Sequence, residues 1–128
     1  VTGSDPQVEL LELLARTARG PRREGVYALW LILRVTTDYL ADPPLPERAT
    51  RRRLAALETR LSSLTMPPPL RRALSALLPE LKDGGREVVP VVLSTLVAPA
   101  RDSAGPEAAE AVQRAARAAR LGVTAPSR

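Results

Sequence analysis

Thirteen prolines cut this chain into segments that are each only a few turns long if helical. Proline has no backbone N–H to donate inside a helix, yet its fixed φ suits the first helical turn, so it marks where elements stop and restart. Asp5-Pro6 reads as an N-cap followed by the first helical residue, and Val8, Leu11, Ala15 and Ala18 recur at helical spacing until Gly20-Pro21. Over residues 22–41 the apolar side chains Val26, Leu29, Leu33 and Leu40 trace one face, and Asp42-Pro43-Pro44-Leu45-Pro46 ends the run. Pro46 opens a third segment striped by Leu54, Leu57, Leu61 and Leu64, closed by Pro67-Pro68-Pro69. Leu70, Leu74, Leu77 and Leu81 continue the spacing in a fourth, which Pro79 is expected to kink or end early, before Gly84-Gly85.

The fifth segment, residues 86–98, is rich in valine and has the composition of a strand. Pro90 would remove a ladder bond, however, and no second strand candidate exists to pair with it, so the segment reads as helix. Gly105-Pro106-Glu107 begins the last helix, with an early acid favoured at the positive end of the helix dipole, and Gly122 is expected to stop it. The expected domain is residues 5–121, with residues 1–4 and 122–128 as flexible ends.

This pattern predicts an all-α protein: a single compact bundle of five to six short helices packed around the helix at residues 22–41. That helix is apolar over nearly its whole circumference except a strip of Tyr27, Arg34 and Asp38. It also holds Trp30, Tyr27 and Tyr39, every aromatic residue in the protein. One side of it is a candidate groove or dimer surface. Arg34 and Asp38, four residues apart, are placed to pair along the helix. The alternative is a short α-helical repeat array, suggested by the likeness of residues 52–57 to residues 71–77.

Composition removes most catalytic chemistry. With no His and no Cys among 128 residues, imidazole bases, thiolate nucleophiles and Cys/His zinc sites are all excluded. Ser62, Ser63, Ser75 and Ser94 lack a His to activate them, and carboxylate pairs such as Glu9/Glu12 lack the Glu-x-x-His of a di-metal bundle. No cofactor and no enzymatic activity are expected. The lack of cysteine fits an intracellular setting, either cytoplasmic or nuclear. No apolar run reaches the roughly 20 residues of a membrane span. The chain starts at Val1 without an initiator Met and reads as a piece of a larger protein.

Charge is concentrated in the centre. Residues 46–86 carry nine Lys or Arg against four acids, whereas the flanking thirds are nearly balanced. Lys82 is the only lysine, so arginine supplies almost the whole positive charge, in keeping with a GC-rich coding bias as well as with selection for arginine chemistry. Arg48, Arg51, Arg52, Arg53, Arg71 and Arg72 are the candidate partner-binding residues, with Arg60 nearer the boundary of the same helix. Their guanidinium forks suit carboxylate or phosphate, and a solvated charged surface is the plainer account of them.

Two LxxLL runs, residues 10–14 and 74–78, resemble the coactivator motif that binds nuclear receptors. The same leucines are needed for a core. In the last segment, Ala108, Ala111, Val112, Ala115 and Ala119 share a face of small side chains suited to packing on the domain or to pairing with another chain's helix, and its low apolar content makes that helix the one expected to detach most readily. The leading expectation is a non-enzymatic helical protein–protein interaction module, an adaptor or scaffold, whose partner is acidic or offers an apolar helix. A homo-oligomer is compatible with the same surfaces. The alternative is a nucleic-acid-binding domain that contacts phosphates through the six arginines.

Overall fold

The computed structural model describes residues 6–41 and 45–124, and for residues 122–124 the backbone alone. These form six α-helices and one 3-10 turn: α1 (Pro6–Thr17), α2 (Pro21–Tyr39), α3 (Glu47–Ser62), α4 (Pro68–Gly84), the turn at Gly85–Val88, α5 (Val89–Ala104) and α6 (Pro106–Thr124). No strand occurs among the described residues. The protein is an all-α bundle.

The Gly-Pro pairs act as combined stop and start signals. Gly20 (φ 65°) and Gly105 (φ 98°) take left-handed backbone conformations that favour glycine, and each is followed by the proline that opens the next helix. A proline restricts the residue before it to extended ψ, and glycine alone combines that ψ with positive φ cheaply. The chain therefore turns within one or two residues and lays the next helix back on the last.

Helix α2 is the axle. Val26, Ala28, Leu29, Ile32 and Leu33 are at most 2 % exposed, and α1, α3, α5 and α6 all pack against it. The first helix also meets the last, since α1 packs on α6. That closure separates a bundle from a repeat array, in which each unit touches only its neighbours in sequence. The N-terminal end of α2 is fastened by Arg22, whose Nε donates to the Ala104 carbonyl at 3.0 Å and whose Nη2 lies 3.9 Å from Glu107 Oε1. The Arg22 cation thus suits the C-terminal end of the α5 dipole, and the Glu107 carboxylate suits the N-terminal end of the α6 dipole.

Four expectations require correction. Pro79 does not end α4, which runs on to Gly84 with Leu70, Leu74, Leu77 and Leu81 all buried. A proline inside a helix costs about 3 kcal/mol. Each leucine buried returns about 1.5–3 kcal/mol, so the leucine stripe prevails. For the same reason α5 passes through Pro99 and beyond residue 98 to bury Ala100, Ser103 and Ala104. It also starts later than residue 86, because Pro90 fits the first turn and leaves residues 85–88 to a 3-10 turn. Residues 122–124 are helix and not a loose end, a glycine in a helix costing only about 1 kcal/mol. The expected Asp5 cap, the expected flexibility of residues 1–4 and 125–128, and the Asp42-Pro43-Pro44 stop lie outside the described residues.

The alanine face of α6 is docked. Ala108, Ala109, Ala111, Val112, Ala115, Ala116 and Ala119 are buried, mainly against α5, which offers Ala100 and Ala104 in return. Small side chains on both helices let the two backbones approach, so dispersion across a wide contact replaces the missing large side chains. Of the two arrangements expected for this face, it takes packing on the domain.

Candidate functional site

The solvent side of α2 runs Tyr27, Trp30, Arg34, Asp38, residues spaced by about one turn and so aligned in a strip. Tyr27 and Trp30 are half-buried and stacked, with ring centroids 5.4 Å apart and planes inclined by 22°. The Arg34 guanidinium carbon lies 4.8 Å from the Trp30 ring centre, within cation–π range. Asp38 does not pair with Arg34 as their spacing in sequence implies. It meets Arg53 of α3 instead, Arg53 Nη1 to Asp38 Oδ2 being 2.6 Å. The aromatic ring offers Arg34 a flat, poorly hydrated surface, and the carboxylate is left to the neighbouring helix.

Helices α2 and α3 run antiparallel along this strip. Asp38, near the end of α2, meets Arg53 in the first half of α3, while Tyr27 and Trp30, nearer the start of α2, share a cleft with Leu64 just past the end of α3. This cleft, about 600 Å³, lies between α1 and α2, and Glu12, Arg16, Arg23 and Glu24 complete its rim. Glu12 and Arg16 are paired at 2.9 Å. A second groove of about 310 Å³ follows the α2–α3 seam, where Arg34, Arg53 and Arg60 surround an apolar floor of Leu31, Val35 and Leu57. Concave, mainly apolar surfaces with a few polar groups at fixed positions are the usual form of binding sites.

The indole Nε1 of Trp30 is buried and has no hydrogen-bond partner among the described residues. An unsatisfied buried donor costs about 1–3 kcal/mol, and here that cost falls on a wall of the cleft. At the far end of the strip, burial raises the pKa of the Tyr39 phenol, and the nearby Arg51 guanidinium opposes that rise.

The six arginines singled out by sequence are all exposed but do not gather at one place. Arg48 and Arg52 lie one turn apart on α3, and among the described residues neither has an ion-pair partner. Arg51 is tied to Glu47 at 2.7 Å, and Arg53 is turned to α2. Arg71 and Arg72 stand at the start of α4, where Arg71 donates to the Leu64 carbonyl. The ten residues of α3 beyond Arg52 place that turn about 15 Å farther along the helix axis. Only Arg53 of the six lines the groove, together with Arg34 and Arg60.

The signal that identifies this groove and the neighbouring cleft in the sequence is periodicity on two helices at once: Tyr27, Trp30 and Arg34 at i, i+3, i+7, and Arg53 and Arg60 at i, i+7. The LxxLL runs do not present intact motifs. In the first, Leu11 is fully buried while Leu13 is 57 % exposed, and in the second Leu74 and Leu77 belong to the core. Among the described residues no cluster of His, Cys, Asp or Glu is placed to hold a metal ion, and no helix is long and apolar enough to cross a membrane. Comparison with protein-family models, with curated proteins and with solved structures found no match to this chain.

Proposed function

We propose that the chain is a non-enzymatic helical module that binds another protein along the outer strip of α2, as an adaptor or scaffold in an intracellular setting. The observation that carries this reading is the stacked pair Tyr27–Trp30, half-buried in a cleft of about 600 Å³ on a helix otherwise sunk in the core. Aromatic rings supply large contact areas at low conformational cost and anchor most protein interfaces. The chain also lacks the His and Cys that most covalent and acid–base chemistry requires.

Photo-crosslinking tests the reading. A benzophenone side chain replaces Arg23 at the cleft rim or, as a control, Glu80 on α4. Protein adducts formed from position 23 and absent from position 80 are the expected result. Equal labelling from both positions discards it. Adducts with nucleic acid, together with oligonucleotide binding that falls steeply from about 50 to 200 mM salt and is abolished by reversing Arg48, Arg52 and Arg72 to Glu, would install the phosphate-binding alternative.

A further inference from the structure

Charge and apolar surface follow one another in a fixed order along the α2–α3 seam. At one end Asp38 neutralises Arg53. One turn back along α2 is Arg34, and two turns further along α3, about 10 Å, is Arg60. Among the described residues neither Arg34 nor Arg60 has an ion-pair partner, so the groove holds three guanidiniums and one carboxylate. One further turn back along α2 stands Trp30, which with Tyr27 and Leu64 lines the aromatic cleft.

We propose that this seam selects an acidic amphipathic segment of a partner protein. An apolar side chain of that segment enters the cleft against Tyr27, Trp30 and Leu64, and a carboxylate three or four residues along it is held by Arg34 and Arg60. The inference rests on the protein-binding reading above and adds the chemistry of the partner. Trp30 and Arg34 lie about 6 Å apart along α2, which is the separation of side chains at i and i+3 or i+4 on a partner helix laid beside it. The cation–π contact holds Arg34 in place before any partner arrives, which lowers the entropy lost on binding. The Asp38–Arg53 pair is the seam's own example of a carboxylate seated on one of its guanidiniums. Carboxylates suit these forks through charge-assisted bonds, and the chain's net charge of +5 draws an acidic segment in.

Panning a random-peptide phage library on the immobilised full chain is the test, with Trp30 emission as the second readout because it is the only tryptophan. Expected are enriched peptides that pair an apolar residue with Asp or Glu three or four places on. As synthetic peptides they shift Trp30 emission, and they lose about tenfold or more in affinity against R34E and R60E chains of unchanged circular dichroism. The milder R60Q weakens binding in the same direction. Enriched peptides that shift Trp30 emission but show no acidic preference, or that bind the charge-reversed chains equally well, overturn this inference and leave protein docking standing. Peptides that leave Trp30 silent, or a library with no enrichment, overturn both.

Discussion

The α-carbon of Gly25 faces the Ser103 carbonyl so closely that a Cβ added there would stand 3.0 Å from its oxygen. This is where the start of α2 crosses the end of α5, and the obstacle is backbone, which cannot swing aside as a side chain would. Gly25→Val is expected to lower the unfolding free energy by more than about 2 kcal/mol in urea titration, the upper part of the usual overpacking range. Gly25→Ala should cost less, since alanine returns about 1 kcal/mol of helix propensity.

Ser103 also contributes a buried hydroxyl with no hydrogen-bond partner among the described residues. Replacing it by alanine removes a desolvated polar atom and changes the volume little. Ser103→Ala is expected to raise stability by about 1 kcal/mol, read as a higher urea midpoint at unchanged slope. A loss of stability would mean that the hydroxyl is satisfied.

Trp30 reports on Arg34. Removing the guanidinium by Arg34→Ala uncovers one face of the ring to water, so the emission maximum should move to longer wavelength and quenching by iodide should change. Asp38→Asn, which leaves the ring contact intact, should leave the emission in place. It should also alter stability by less than about 1 kcal/mol, because Arg53 is half-exposed.

Tyr39 makes the fold sensitive to alkali. Its phenol is raised above the ordinary value of about 10, chiefly by burial, so between that value and its folded pKa the native state holds a proton that the unfolded chain has released. The contribution is fully present below pH 10 or so and is lost as pH rises through the folded pKa. Tyr39→Phe should flatten this part of the stability profile. Arg51→Ala, by removing the opposing positive charge, should push the phenolate absorbance step to higher pH still.

The axle role of α2 was legible because Val26, Leu29 and Leu33 leave almost no polar face, and a helix of that kind must be surrounded. The Gly-Pro joints were legible because their chemistry is local. Pro79 is a misleading stop signal because a proline's cost is local, while the burial of Leu81 that outweighs it depends on what packs there. Asp38 misled for a related reason: spacing along one helix offers Arg34, and the partner in the fold is Arg53 on another. The arginines of residues 48–53 stand out by their density along the chain. Arg34 and Arg60, far apart in sequence, lie on one groove only because α2 and α3 run antiparallel.

The helix that α1, α3, α5 and α6 grip is the same one that turns Trp30 to the outside. Whatever settles on that ring therefore leans on the keystone of the molecule. Its arrival should register as heat resistance of the entire bundle, with a melting temperature that climbs with ligand concentration, and not as the quieting of a single loop.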